Sequence, residues 1–428
     1  MEFVTDPAAA MSRLAAADRF GEYVMYERPG EWVFAADPLG TVELDAGELR
    51  TVWNGKTTAR AWTGSPAEVV DAALAELPHG GRDAYGWIGF EFCAYALAAT
   101  GYLNQRTPLA HLMIPRIEVR IDAAGVRIEG ATPAEARDIA ELIAASQGSD
   151  LPVAHPVDVR PDPTGYQQRV AAAVAEIRAG EYQKVILSRK VELPFAVDVP
   201  ATYRLGRAAN TPARSFLLRL GGLEAAGFSP ELVASVDDAR VVTTEPLAGT
   251  RAFGLGADLD DAARAELLAD PKEIVEHAIS VQTSFAEIAQ VAQPGTTAVS
   301  DFMAVRERGS VQHLASTVRG VLAAEYTSWD ALEVLFPSVT ASGIPKQAGV
   351  DSIFRNDHDP RGLYSGAVVC VSPTSALEAT LVLRAIYQTG AGAWLRAGAG
   401  VVGQSRPERE FEETCEKLGS VAPYVVKA

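Results

Sequence analysis

Residues 377–397 read Leu377-Glu378-Ala379-Thr380-Leu381-Val382-Leu383-Arg384-Ala385-Ile386-Tyr387-Gln388-Thr389-Gly390-Ala391-Gly392-Ala393-Trp394-Leu395-Arg396-Ala397. Two apolar runs, 377–387 and 393–397, flank a turn-forming Thr389-Gly390-Ala391-Gly392. The pattern predicts two strands joined by that short connection. Another strand is expected just before, over 363–371. A helix is expected just after, over 407–418, with a proline in its first turn and Gly419 following it.

Further upstream, 184–193, 215–220, 232–236 and 241–244 are rich in apolar and β-branched residues, as strands are. Tyr166, Val170, Val174 and Ile177 recur at helical spacing within 163–179, and Gly180 stands at the C-cap position. One long helix is expected over about 270–292, striped by Ile274, Ala278, Val281, Phe285 and Ile288. The N-terminal third reads as strands over 31–35, 85–90 and 117–121 with helices near 66–77 and 133–145. Helices and strands thus come in blocks and not in βα alternation, which argues for an α+β fold with antiparallel sheets.

The chain has 428 residues, a length that by itself suggests two or three domains. The linker-like stretch is 147–163, with four prolines, between an N-terminal part (1–146) and a larger remainder. Hydrophobic residues make up 48% and charged residues 22%, a globular composition too apolar for disorder. Thirty-eight Lys and Arg against 55 Asp and Glu leave a net charge of −17. That argues against a nucleic-acid or anionic-membrane partner, and an anionic substrate would need locally supplied positive charge. No run approaches the roughly 20 apolar residues of a membrane span. Met1-Glu2-Phe3-Val4-Thr5-Asp6-Pro7 shows no leader pattern. Cys93, Cys370 and Cys415 are scattered, so a cytoplasmic location without zinc or disulfides is expected. Nucleotide, zinc-protease and nucleophile-elbow motifs are absent.

Several constellations could carry chemistry. Glu273/Glu276 and Glu410/Glu413 are ExxE pairs on two predicted helices, each pair sharing one helix face. They are either solvated acidic faces or, if the faces meet, oxygen ligands for Mg²⁺. Arg396-Ala397-Gly398-Ala399-Gly400 is a glycine-rich strand end, suited to close approach by an anion or to a bend. Lys184 opens an apolar strand and is either a partly desolvated base or a snorkelling lysine. Glu231, after Ser229-Pro230, is a turn residue or a carboxylic acid of raised pKa. Thr244-Glu245-Pro246-Leu247-Ala248-Gly249-Thr250-Arg251 suggests an ordered loop presenting donors. His313 alternates with apolar residues on a strand. Arg384, within an apolar run, calls for an anion, in the protein or in a substrate. Tyr364 is a core aromatic or a substrate contact.

In order and spacing these segments resemble the chorismate-utilising enzymes. The matches are Lys184-Val185-Ile186-Leu187-Ser188-Arg189, Ser229-Pro230-Glu231, Glu245-Pro246-Leu247-Ala248-Gly249-Thr250-Arg251 and Lys272-Glu273-Ile274-Val275-Glu276-His277. They continue through Gly343-Ile344-Pro345-Lys346, Gly362-Leu363-Tyr364-Ser365-Gly366, Arg396–Gly400 and Glu410-Phe411-Glu412-Glu413-Thr414, covering about 160–424. The likeness is nearest to the salicylate-forming members, through 182–189, 301–314 and the last helix. It implies one domain over 1–428, with two large antiparallel sheets packed as a sandwich, flanking helices and 147–163 as a surface crossing.

For the site, the resemblance implies Mg²⁺ held by Glu276 and Glu413, with Glu273 and Glu410, against the ring carboxylate of chorismate. Gly249, Thr250, His313, Thr340 and Leu383 would line that substrate. Arg384, Tyr364, Gly398, Gly400 and Lys417 would hold the enolpyruvyl carboxylate. Lys184 would activate a water for attack at ring C2 and Glu231 would protonate the departing C4 hydroxyl, giving isochorismate. Loss of pyruvate would then leave salicylate. Ammonia-using relatives carry Gln where Lys184 stands, and aminodeoxychorismate synthases a lysine where Ala248 stands, so no glutaminase partner is expected. Relatives of this type suggest a monomer. Phe228 departs from the tyrosine that many relatives have before Ser-Pro-Glu.

Overall fold

The computed structural model describes residues 4–148, 150–308 and 311–428, with the backbone alone at Lys272. The expected hairpin forms: Ala385–Thr389 pairs antiparallel with Gly392–Val401, Thr389 opposite Gly392. From its outer edge a run of antiparallel neighbours extends through the protein. It passes from Lys184–Leu193 to Gly392–Val401, Ala385–Thr389, Leu223–Ser229, Arg214–Leu220, Tyr23–Arg28 and Glu31–Asp45. Glu31–Asp45 pairs with Pro108–Asp122. A second run then follows: Ala84–Ile88, Ala367–Val371, Leu377–Leu381, Leu232–Val236, Val241–Thr244 and Val311–Val321. The two expected sheets are therefore halves of one hydrogen-bonded sheet. It folds over at two strands of 15 residues each, Glu31–Asp45 and Pro108–Asp122.

The halves pack face to face. Tyr26, Phe216, Leu218 and Tyr387 of one half meet Tyr85, Trp87 and Val368 of the other in one buried cluster. In Arg214–Leu220, Phe216, Leu218 and Leu220 face this interior, while Leu217 faces the helices outside. Such period-two alternation with both faces buried explains why the strand reads as a nearly continuous apolar run. Helices Pro7–Ala16, Pro133–Ser146 and Val199–Ala209 cover the first half, Pro66–Glu76 and Ser328–Leu335 the second, and Lys346–Asn356 packs on Lys184–Leu193.

The backbone passes directly from one half to the other at two places. Leu223–Ser229 belongs to the first half and Leu232–Val236 to the second, with Pro230-Glu231 between. Leu377–Leu381 belongs to the second and Ala385–Thr389 to the first, with Val382-Leu383-Arg384 between. The single strand expected over 377–387 is thus broken at 382–384. There Arg384 takes a φ of 50°, a left-handed conformation that costs a non-glycine residue of order 1–3 kcal/mol.

Three other expectations are corrected. The helix expected over about 270–292 runs Pro271–Ile288, ending earlier, and a separate helix that was not expected, Ala257–Ala269, precedes it, with Asp270 extended before the proline. The strand expected from 363 begins at Ala367, leaving Tyr364 in a turn. The expected loop before Arg251 contains a strand, Leu247–Ala252, paired with Val311–Val321. Its register slips between Ala248 and Thr250. The stretch 147–163 is irregular but tied down, with His155 and Val157 donating to Val425 and Ala422 carbonyls. Buried Arg189 donates to the carbonyls of Val159 and Pro161. Of the matched stretch 301–314, Gly309 and Ser310 lie outside the described residues. Among those described, no helix is long and apolar enough to cross a membrane.

Candidate active site

Both crossings open into one cavity of about 110 Å³ between the sheet halves. Its lining brings together Glu231, Thr250, His313, Thr340, Tyr364, Leu383, Arg384, Gly398 and Lys417. Lys184, Gly249, Gly400 and the four glutamates are outside this lining. Gly400 packs against Lys184 and Glu276: a Cβ on it would lie 3.2 Å from Lys184 Cε and 3.8 Å from Glu276 Oε1, and 3.4 Å from Ile186 Cδ1, whose residue lines the cavity. Gly249, at φ 80°, would with a Cβ stand 3.0 Å from Glu273 Oε2.

Glu231 sits at the first crossing and is 3% exposed. The hydroxyls of Ser338 and Thr340 each lie 2.6 Å from its Oε1 and 2.7 Å from one another. With one proton each, they satisfy two of these three contacts. Burial pushes the Glu231 pKa up to about 7 against the pull of these hydroxyls. Near neutral pH it therefore holds a proton for part of the time, as a general acid must.

Lys184, 5% exposed, begins its strand beside the Pro271–Ile288 helix. Its Nζ donates to Glu276 Oε1 at 2.5 Å. On the far side, Arg384 Nη2 lies 2.8 Å from His313 Nε2. A guanidinium only donates, so Nε2 is the accepting nitrogen and Nδ1 carries the proton. Nδ1 lies 3.0 Å from Thr250 Oγ1 and 3.2 Å from the Gly249 carbonyl. His313 is kept neutral by burial and then by the Arg384 charge. Burial lowers Arg384 to about 10, with Arg308 adding to the effect. Arg384 thus meets a neutral ring here. Lys417 Nζ donates to the Gly398 carbonyl at 2.9 Å and pairs with Glu413 at 2.8 Å. Tyr364, buried, lies under the guanidinium groups of Arg361 and Arg396. A Cβ on Gly398 would come within 2.9 Å of its hydroxyl.

Glu273 pairs with Arg251 at 3.1 Å, and Glu410 is buried on the last helix. Among the described residues no three His, Cys, Asp or Glu side chains gather closely enough to hold a metal ion. Two residues escaped the sequence reading. Ser338 follows Pro337 and carries no motif. Arg308 lay inside the matched stretch 301–314, but nothing in its neighbours set it apart.

The family of chorismate binding enzymes matches residues 21–423. A salicylate synthase of Mycolicibacterium paratuberculosis is 52% identical over 98% of this chain and 94% of its own length. The anthranilate synthase component I of Streptococcus pneumoniae has a similar structure. Its TM-score is 0.76 at 23% identity, over 93% of this chain and 92% of that one. The menaquinone-specific isochorismate synthase of Escherichia coli gives 0.74 at 22%, over 97% and 91%. The chain belongs to the family of chorismate binding enzymes.

Proposed function

We propose that this enzyme converts chorismate through isochorismate to salicylate and pyruvate. The observation that carries the reading is a buried Glu231 that lines the cavity with its pKa raised, and Lys184 near enough for its charge to act on it, in a chain 52% identical to a salicylate synthase. Lys184, freed of its proton, takes one from a water, and the water oxygen bonds to ring C2. Glu231 gives its proton to the C4 hydroxyl, which leaves as water, and the ring double bond shifts. Arg384 is a cation whose partner here is neutral, so a substrate carboxylate can complete it. Together with Tyr364 and Lys417 it would orient the enolpyruvyl arm for loss of pyruvate. That step needs placement more than a further acid or base.

The donor set suits Mg²⁺, a hard cation that takes carboxylate oxygens. Glu276 and Glu413 each hold a lysine ammonium, and the fields of both reach Lys417. Glu276 and Glu413, with Glu273 and Glu410, would hold Mg²⁺, which would supply positive charge to the ring carboxylate. Three cations inside a chain of net charge −17 would meet a dianionic substrate. Incubation with chorismate and Mg²⁺ should give fluorescent salicylate and an equal amount of pyruvate. Accumulation of isochorismate without pyruvate would instead mark an isochorismate synthase, the second reading.

A further inference from the structure

Residues 336–345 connect the helices Ser328–Leu335 and Lys346–Asn356, and this connection touches both ends of the chemistry. Ser338 and Thr340 supply the hydroxyls on Glu231 Oε1. The carbonyls of Ser342 and Ile344 each accept from the strand of Lys184, from the Ile186 and Gln183 amides at 2.8 Å. Ile344 stands opposite Lys184 itself. The two ends of the connection meet at one side chain. Lys346 Nζ lies 2.6 Å from Glu287 Oε1, 3.2 Å from the Leu335 carbonyl and 3.4 Å from the Val334 carbonyl. Its three protons thus have three acceptors. The two carbonyls end the preceding helix, where helical partners run out and a cation is favoured. In its own helix Lys346 stands at the N-terminus, where a cation is disfavoured. The lysine therefore serves the helix before it. Glu287 is buried on the helix that also carries Glu276, about 16 Å further along the axis.

We infer that Lys346 and Glu287 are positioning residues for the reaction. One ammonium closes the 336–345 connection on itself and fixes it to the Pro271–Ile288 helix. The hydroxyls on Glu231, the strand of Lys184 and the helix of Glu276 are thereby held in one arrangement. The inference rests on the reading of Glu231 as the general acid. Besides the two hydroxyls, the charges of Glu245 and Lys184 act on Glu231, and neither residue belongs to the connection. A loosened connection is therefore read at Glu231 as the loss of its hydroxyl partners.

The test is Lys346→Met/Glu287→Gln in the full-length protein, which removes both charges and leaves neither buried alone. Chorismate consumption is followed against pH. Hydrogen bonds to a carboxylate favour its charged form, so their loss should move the alkaline limb of kcat/KM upward by about half a unit. At the optimum, kcat should fall about ten- to hundredfold, as small misplacements of catalytic groups do, with KM for chorismate changing less. The infrared band of the protonated Glu231 carboxyl, identified by its loss in Glu231→Gln, should persist to the same higher pH. That band is read without turnover, so a failed clamp is distinguishable from a wrong reaction. The control is Arg207→Met/Glu27→Gln, at an ion pair of 2.7 Å remote from the connection. It should lose stability and leave limb and band in place. If the first double variant does not fold, Glu287→Gln alone, which leaves Lys346 its two carbonyls, should give a smaller upward shift. A limb and band that stay in place or move down in a folded variant, or that move equally in the control, would overturn the proposal.

Discussion

Two buried carboxylates, Asp357 and Glu231, sit about equally deep and have opposite electrostatic fates. Burial alone would raise both. Around Asp357 it is outweighed by Arg361 and Arg396 and by the Ser188 amide and hydroxyl, so its pKa is held below the usual value. Its Oδ2 meets Arg361 Nε at 2.8 Å and Arg396 Nη2 at 3.1 Å, and Arg169 approaches Oδ1 at 3.4 Å. Glu231 has hydroxyl neighbours and no direct cation, and rises to about 7. Arginines divide the same way: Arg361 and Arg396 spend their N–H groups on carbonyls and carboxylate, whereas Arg384 faces a neutral histidine. Saturated charge networks hold the sheet halves and the 346–361 segment together. Incompletely partnered charges mark the place where a substrate can complete the set.

The strongest way to break this contrast is Asp357→Asn. Three arginines would lose their shared anion, and removing one partner of a buried charge set costs about 3–5 kcal/mol. Denaturant unfolding should show that loss. The pH sign follows from the lowered pKa. The Asp357 contribution is full above the unfolded value and is lost as pH falls through the folded one. Wild type should therefore lose stability on acidification in a way that Asp357→Asn does not.

Next in size, Lys184→Gln and Glu231→Gln should each lower kcat for chorismate consumption by about 10²–10⁴-fold. Their stabilities should differ from that of Asp357→Asn. A carboxyl raised from 4.5 to about 7 binds its proton more tightly when folded. Stability then falls as pH rises across that window, and the penalty is complete above it. Glu231→Gln removes the penalty. It should be inactive and more stable than wild type, by a margin that grows between pH 4.5 and pH 7. An inactive variant less stable at pH 8 would place Glu231 among the structural carboxylates. A near-normal rate in Lys184→Gln would remove Lys184 from the chemistry.

How much of this was visible in the residues depends on the scale of the feature. Antiparallel pairing was legible at Thr389–Gly392, because turn chemistry and the flanking apolar runs are local. The crossing at 382–384 was not. Leu381-Val382-Leu383 reads the same whether a strand continues or changes sheets, and nothing in Arg384 itself announces a positive φ. The helix Pro271–Ile288 was legible from its apolar stripe, whereas Ala257–Ala269 buries Leu267 alone and offers no such stripe. At the site, Lys184 and Glu231 taken singly read equally well as ordinary strand and turn residues. What separates them from Arg189 or Asp357 is the saturation of their partners. That property belongs to distant segments brought together, as with Ser338, which is 107 residues from Glu231.

The smallest expected effect tests whether that partner set is tuned. The Thr340 hydroxyl, 2.6 Å from Glu231 Oε1, pulls the Glu231 pKa down against burial. Thr340→Val keeps the shape and removes the hydroxyl. Ser338 then remains as the hydroxyl donor to Oε1, a role it can fill without sharing. Glu231 should stay protonated to a higher pH, and the alkaline limb of kcat/KM should move upward by a fraction of a unit. At a pH well below 7 the acid is already protonated in both proteins, so their rates should differ little there. A limb that moves downward would mean the hydroxyl stabilises the acid form, and one that does not move would mean that another group sets it. A uniform rate loss at every pH would assign Thr340 to contact with substrate instead of to the poise of Glu231.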